Sequence, residues 1–127
     1  MWFKRIFRMA QEKGLLLKAH VGEFGTAELV QRAVEELELN QVQHGIAAAS
    51  SPQIMKWLAD HRIQLNVCPT SNVLLSRVAD YPSHPIHKLY DYGVKVTVNS
   101  DDMIIFDQSV SDELNAIREN ALSKADL

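Results

Sequence analysis

Short apolar runs alternate along the chain with longer amphipathic segments, and this pattern predicts strands alternating with helices. Continuous apolar runs indicate buried strands, whereas apolar residues at three- and four-residue spacing indicate helices that face a core. Gly14 and Gly93 stand where helices typically end, and Thr26 and Ser51 stand where side chains typically cap a first turn. The pattern predicts strands at 15–20, about 40–43, 63–68 and 94–99. It predicts helices at 2–13, at 26–38, from Ser51-Pro52 onward, from His84-Pro85 to Gly93, and at 111–122. Ser111 or Asp112 is expected near the cap of the last helix.

Alternating strands and helices imply an α/β fold with a parallel sheet and right-handed crossovers. Doubly wound sheets and barrels both satisfy this order, and the polar residues at the strand ends distinguish them. His20 ends the first strand, His44 the second, residues 68–72 follow the third, and Asp101-Asp102 follow the fourth. Convergence of all strand ends on one site is typical of a (β/α)8 TIM barrel. Four strands are half of such a barrel, so we expect one partial barrel domain over residues 1–127.

Composition narrows the classes of function. The net charge of −3 provides no basic surface for a nucleic-acid polymer. Segment 1–10 has apolar residues at helical spacing, interrupted by Lys4, Arg5 and Arg8. One interpretation is a basic amphipathic helix that lies on a membrane surface. The favoured interpretation is a helix that packs on the sheet. No run is long enough to span a membrane, so no membrane partner is expected. Cys68 is the only cysteine, which excludes an intrachain disulfide and fits a cytoplasmic protein.

The strand-end residues His20, Glu23 and Asp101 indicate a hydrolytic metal site, because imidazole and carboxylate are the usual zinc ligands of catalytic sites. Glu23 is a candidate general acid–base residue, since a partly buried carboxyl can stay protonated near neutrality. Structural alternatives remain open for each residue. His20 would also serve as a strand-end hydrogen-bonding group, and Glu23 as the partner of a Lys or Arg.

His44 and the pair Asp101-Asp102 carry a similar choice of roles. His44, next to Gly45, is a candidate for stabilising hydroxide or acting as a base, and its alternative is a loop histidine without a role. Of the two adjacent carboxylates, one can face a metal and the other a substrate. Their alternative is a turn or helix cap.

The remaining polar residues are assigned structural roles. Cys68 is expected to be a small buried residue, and Thr70, Ser71 and Asn72 to organise a loop through local side-chain-to-backbone hydrogen bonds. Three histidines are predicted outside the site: exposed His61, helix-capping His84 and solvated His87.

Five segments in order carry a family resemblance: 18–23 (KAHVGE), 43–45 (QHG), 66–72 (NVCPTSN), 84–85 (HP) and 99–102 (NSDD). With these segments the chain resembles adenosine deaminases, the zinc-dependent aminohydrolase branch of the metal-dependent hydrolase barrels. Their order and spacing match the second half of that barrel. The resemblance therefore implies an α/β fold comprising about four strand–helix units, the C-terminal half of a TIM barrel.

The resemblance also implies a reaction and roles in it. His20 and Asp101 would be ligands of one Zn2+ ion, which lowers the pKa of water so that hydroxide attacks the purine carbon. Glu23 would protonate the neighbouring ring nitrogen, and His44 would orient and help deprotonate the water. The substrate would be a free purine nucleoside, with adenosine converted to inosine and ammonia.

Two further residues would contact the base by the same resemblance. Asp102 would hydrogen-bond another ring nitrogen, and Gly22 would let the backbone approach the purine. Met103 departs from the family, which often has proline after the aspartate pair, and this bears on substrate preference.

A larger departure concerns the metal. The family's first strand supplies a His-x-His pair of zinc ligands, and no His-x-His occurs in this sequence. His20 and Asp101 are two ligands, whereas catalytic zinc normally takes three from the protein. We therefore expect a deaminase fragment that either self-associates or joins a missing N-terminal half. The alternatives are a non-catalytic assembly module and a deaminase for another aminopurine, such as adenine, adenosine monophosphate or a modified adenosine.

Overall fold

The computed structural model describes residues 3–120, so the predicted helical positions 2 and 121–122, and both ends of the predicted domain, lie outside the described residues. Strands and helices alternate as the pattern predicted. The strands are β1 (Lys18–Val21), β2 (Gln41–His44), β3 (Gln64–Val67) and β4 (Lys95–Val98). The helices are α1 (Lys4–Glu12), α2 (Ala27–Leu37), α3 (Pro52–Asp60), α4 (Pro69–Leu74), α5 (Ile86–Asp91), α6 (Met103–Phe106) and α7 (Val110–Asn120), with a 3₁₀ helix at Ile46–Ser50.

The four strands form one parallel sheet in the order β1-β2-β3-β4. In register, Ala19 pairs with Val42, Val42 with Leu65, and Leu65 with Val96. A doubly wound sheet reverses its strand order at a switch point, whereas a barrel keeps its strands in sequence. The order therefore confirms the predicted partial barrel.

The core lies between one face of this sheet and the helices. Val42 and Leu65 from the strands are fully buried against helical side chains that include Met55 and Leu58 from α3 and Ile117 from α7. Burial of large aliphatic side chains contributes about 1.5–3 kcal/mol each, so this layer holds the sheet and helices together.

The predicted caps of α2 and α3 are confirmed. Thr26 Oγ1 accepts a hydrogen bond from the Leu29 amide at 3.3 Å, and Ser51 Oγ accepts one from Ile54 at 3.3 Å. Helix α7 begins at Val110, one residue before the predicted start, and Asp112 lies near its cap as predicted. Ser109 caps this helix, because the Asp112 amide donates to Ser109 Oγ and Asp112 Oδ2 accepts from the Ser109 amide.

The opposite face of the sheet is polar. Asn66 occupies its centre, where its Nδ2 donates to the side-chain oxygens of Gln41 and Gln43. Its Oδ1 accepts from Gln64 Nε2 at 2.7 Å and from Thr97 Oγ1 at 2.9 Å. This face is therefore polar in the part of the sheet that the structure describes. Among the exposed apolar side chains are five in the segments before β1 and after β4: Leu15, Leu16, Met103, Ile104 and Ile105.

Two predicted boundaries need correction. The strand expected at 15–20 begins at Lys18, because Leu15 and Leu16 are exposed and Leu17 turns its amide to Asn40 Oδ1. The loop expected around residues 70–72 is α4, with Pro69 at its first position.

Helix α1 packs on α2, with Phe7 and Ala10 against the core and Lys4 Nζ 3.4 Å from Glu36 Oε2. Phe7 and Ala10 therefore hold this helix against the core, and its predicted contact with the sheet itself stays a prediction. No helix within residues 3–120 is long and apolar enough to cross a membrane.

Candidate active site

The carboxyl ends of the strands hold the predicted site. His20 lies in β1 and Glu23 in the loop after it, His44 ends β2, and Asp101 follows β4. His44 and Asp101 adopt left-handed backbone conformations, with φ of 65° and 61°. Such conformations are unfavourable for residues with a side chain and concentrate at functional sites. In His44 the positive φ departs from extended strand geometry at the point where the side chain enters the site.

His44 lies between two carboxylates. Its Nε2 atom is 3.7 Å from Glu23 Oε2 and 3.8 Å from Asp101 Oδ2, and the His20 ring centroid is 5.5 Å from the His44 centroid. The His44 side chain is 2% exposed, that of Glu23 16% and that of Asp101 27%. The structure therefore brings four sequence-predicted residues together from three strand ends, with His44 deepest.

Burial and charge act in opposite directions on His44. Burial lowers the pKa of the His44 imidazole, the Glu23 and Asp101 carboxylates raise it, and His20 lowers it further. The net effect is a lowered pKa, so His44 is neutral near pH 7. Among the described residues no group hydrogen-bonds Glu23 Oε1, although this oxygen is buried. A buried carboxylate oxygen normally has a partner, so Glu23 is available to a ligand.

Cys68 belongs to this cluster, which the sequence interpretation missed. It is buried as predicted, and its sulfur, a His44 ring nitrogen and an Asp101 carboxylate oxygen lie within 4.8 Å of one another. Burial and the nearby Asp101 and Glu113 carboxylates raise the pKa of the Cys68 thiol to about 12, so it is protonated. Its position directly after β3 was the available signal.

Helix α4 carries long-range contacts where local ones were predicted. The Thr70 amide donates to Glu113 Oε2 at 3.1 Å, and Thr70 Oγ1 lies 2.6 Å from the Tyr81 hydroxyl. Ser71 Oγ is buried without a hydrogen-bond partner among the described residues. Asn72 contacts two histidines, one of them His44 at 3.3 Å. The predicted local hydrogen bonds are therefore wrong for these residues.

The other histidines differ in burial. His61 is exposed and stacks on Trp57, as predicted for a surface residue, whereas His87 is half-buried. His84 Nδ1 accepts a hydrogen bond from the Ile86 amide at 3.1 Å, but the N-cap residue of α5 is Pro85, so the predicted cap position of His84 is one residue too early. His84 is buried, and its Nε2 lies 3.1 Å from Asn72 Oδ1. This second contact was not predicted.

Asp102 and Gly22 both have structural roles, and for Asp102 this role is the helix cap that was the predicted alternative. Asp102 Oδ1 accepts hydrogen bonds from the amides of Ile104 and Ile105, at 2.9 and 2.8 Å, and so caps α6. Gly22 has φ of 77°, and a Cβ atom there would lie 3.1 Å from the Gly45 Cα. Contact of either residue with a purine base stays a prediction.

Two open clefts flank Glu23. One of about 190 Å³ is lined by His20, Glu23, Phe24 and neighbours, and one of about 270 Å³ by Glu23, Phe24, Arg77 and others. Phe24 lines both clefts, and the Arg77 guanidinium carbon lies 4.5 Å from the centroid of its ring. Pockets for small ligands usually enclose about 300–1,000 Å³, so each cleft is smaller than a complete ligand site.

The partial parallel barrel holds its cluster of histidine and carboxylate side chains at the carboxyl ends of the strands, which is where (β/α)-barrel enzymes place their sites. A model of the family described as adenosine deaminase matches residues 1–126. The chain therefore belongs to the adenosine deaminase family, as the sequence resemblance indicated.

Individual relatives agree with this assignment. A protein from Treponema pallidum (strain Nichols), named for adenosine/adenine deaminase, is 44% identical over 112 residues, which are 88% of this chain and 38% of the relative. The adenine deaminase from Arthrobacter aurescens superposes with a TM-score of 0.87 at 33% identity, covering 93% of this chain and 36% of that one. An amidohydrolase from Burkhoderia ambifaria, solved with bound Zn, has a TM-score of 0.85 at 27% identity and covers 98% and 35%. The chain thus spans about a third of these proteins.

Proposed function

We propose that this chain supplies part of the active site of a zinc-dependent deaminase that releases ammonia from adenosine or a related aminopurine. The carrying observation is the approach of two carboxylates, Glu23 and Asp101, to within 3.8 Å of the His44 ring nitrogen. Membership of the adenosine deaminase family supports the reaction class. The zinc-bound amidohydrolase neighbour supports a metal.

His20 and Asp101 are the residues that would hold the metal. Their imidazole and carboxylate donors match zinc, and both lie near His44: the His20 ring centroid is 5.5 Å from that of His44, and Asp101 Oδ2 is 3.8 Å from His44 Nε2. Bound zinc supplies Lewis-acid activation of water near neutral pH. Two ligands do not complete a catalytic site, so the proposal requires further ligands from outside these residues.

The side chains of this chain would position and protonate the substrate. Glu23 would donate a proton to the purine ring nitrogen beside the reacting carbon, since its Oε1 has no other described partner. His44 would orient the attacking water between the two carboxylates, and Asp102 and Gly22 would contact the base. The substrate reaches the site as a free base, nucleoside or nucleotide.

Zinc content and ammonia release together test this proposal. In the whole protein that contains this chain, Asp101→Ala should remove zinc and activity together, whereas Glu23→Gln should keep zinc and lose about 10²–10⁴ in rate. Glu35→Gln, the same substitution at an exposed position of α2, is the matched control. Full activity in the Glu23→Gln protein would show that the acid role is wrong. A panel of adenine, adenosine and adenosine monophosphate identifies the substrate.

The site requires a partner for this chain. The chain spans 38% of the Treponema relative, and β1 and β4 are the edge strands of the described sheet. We propose that a further chain segment or a second copy of this chain pairs with these two edge strands. It would cover the exposed side chains of Leu15 and Leu16 and those of α6. Light scattering on the isolated 127-residue chain tests this, and a well-ordered, zinc-free monomer would contradict self-association.

The whole protein provides a different measurement. If the whole protein containing this chain neither binds zinc nor deaminates any member of the panel, the alternative of a non-catalytic assembly module would replace the enzymatic proposal. Retention of zinc without turnover on the panel would instead direct the search to other aminopurines.

A further inference from the structure

Two buried residues outside the predicted catalytic set connect His44 to the backbone of α5. Asn72 Nδ2 lies 3.3 Å from His44 Nδ1, and Asn72 Oδ1 lies 3.1 Å from His84 Nε2. The Ile86 amide then reaches His84 Nδ1 at 3.1 Å. The exposed fractions are 2% for His44, 0% for Asn72 and 3% for His84, so water does not compete for these hydrogen bonds.

The hydrogen bonds along this path have one permitted direction. A backbone N–H only donates, so His84 Nδ1 must be the unprotonated acceptor of the Ile86 amide. A neutral His84 therefore carries its proton on Nε2 and donates it to Asn72 Oδ1. Burial lowers the pKa of His84 to about 4, which keeps the ring neutral near pH 7.

The same reasoning determines which way the side-chain amide of Asn72 is oriented. Because its oxygen accepts from His84, its NH₂ group is the atom that faces His44, and this group only donates. His44 Nδ1 must then be unprotonated, so a neutral His44 carries its proton on Nε2. That nitrogen is the one 3.7 Å from Glu23 and 3.8 Å from Asp101.

We propose that Asn72 and His84 are positioning residues that hold neutral His44 in the tautomer with its proton on Nε2, directed at Glu23 and Asp101. The tautomer follows from the hydrogen bonds of this chain alone, while its importance for turnover rests on the proposed deaminase function. In this tautomer His44 acts on the attacking oxygen as a hydrogen-bond donor. The deprotonation predicted for His44 from the family resemblance is then not available to the neutral ring.

Nitrogen NMR on the metal-free chain labelled with ¹⁵N-histidine tests this proposal. Two-bond ¹H–¹⁵N spectra at a pH where His44 is neutral distinguish protonated from unprotonated ring nitrogens, and loss of one spin system in His44→Gln assigns the ring. We expect Nε2 of His44 and Nε2 of His84 to be protonated. Protonation of His44 on Nδ1 in the unsubstituted chain would overturn the proposal without any variant.

The Asn72→Asp substitution should reverse the tautomer of His44, and a merely structural role of Asn72 would not produce this reversal. An aspartate carboxylate only accepts, so it would keep the His84 hydrogen bond and draw the His44 proton to Nδ1. Asn40→Asp is the matched control, because Asn40 Oδ1 already accepts from the Leu17 amide. We expect tautomer reversal at His44 in the first variant and no change in the second.

These measurements stand apart from the proposed function. An unchanged Nε2–H tautomer in folded Asn72→Asp would overturn the positioning role even if the protein is an active deaminase. If this variant does not fold, the spectrum of the unsubstituted chain decides. Failure of zinc binding or of ammonia release would contradict the proposed function and leave the tautomer result unaffected.

Discussion

Acidification should destabilise the fold through His84. This imidazole is 3% exposed, and burial lowers its pKa from 6.5 to about 4. Between these two pH values the unfolded chain binds a proton at this position and the folded chain does not. His84 therefore stabilises the folded state fully above about pH 6.5 and progressively less as the pH falls toward 4, with no further loss below. At about 1.4 kcal/mol per pH unit, the total is about 3 kcal/mol.

Urea denaturation followed by circular dichroism at a series of pH values from 7 to 4 measures this effect. Each curve yields a free energy of unfolding, and the His84→Gln chain should lose about 3 kcal/mol less than the unsubstituted chain over this interval. Only the pH dependence is compared, because the substitution also changes stability at pH 7. His61→Gln, the same change at an exposed histidine, is the control. Equal losses in the His84→Gln and unsubstituted chains would refute the reasoning.

Three further predictions concern the stability of the fold. Gly22→Ala should lower the free energy of unfolding by about 1–3 kcal/mol, and by more than Gly14→Ala does. Both glycines have positive φ, but of the two only Gly22 is closely packed. Comparison of urea midpoints tests this, and equal losses in the two variants would exclude a packing effect. Leu58→Ala should cost about 2–5 kcal/mol because Leu58 is fully buried, as measured by thermal unfolding against an exposed Leu16→Ala control. Glu113→Ala leaves the Thr70 amide unpaired and should cost about 1–3 kcal/mol by chemical denaturation; no loss would show that this hydrogen bond is unimportant.

The fold was largely predictable because its signals are local. Thr26 and Ser51 cap their helices within three residues along the chain, and helical periodicity identifies the buried faces. The strand start before β1 was misplaced because the apolar run 15–17 has the composition of a buried strand. Tertiary structure leaves Leu15 and Leu16 exposed in the described residues, and composition alone does not distinguish these cases.

The candidate site was predictable to the level of residue types at strand ends. Parallel strands bring their carboxyl ends to one edge, so His44 and Asp101 had to lie near each other once both strands were recognised. Asn72 was misassigned to a loop with local hydrogen bonds, and Cys68 was left outside the cluster. Both lie in or beside α4, a helix too short to show a periodic pattern.

The sequence by itself determined the alternation of strands and helices, the family, and the placement of Glu23, His44 and Asp101 at strand ends, because local pattern and motif order record these features. Only the tertiary structure decided how His44 is held. Its partner Asn72 is 28 residues away along the chain, and His84 lies 12 residues beyond Asn72. Contacts at such separations leave no periodic trace, and the direction of a hydrogen bond depends on which atoms the fold brings together.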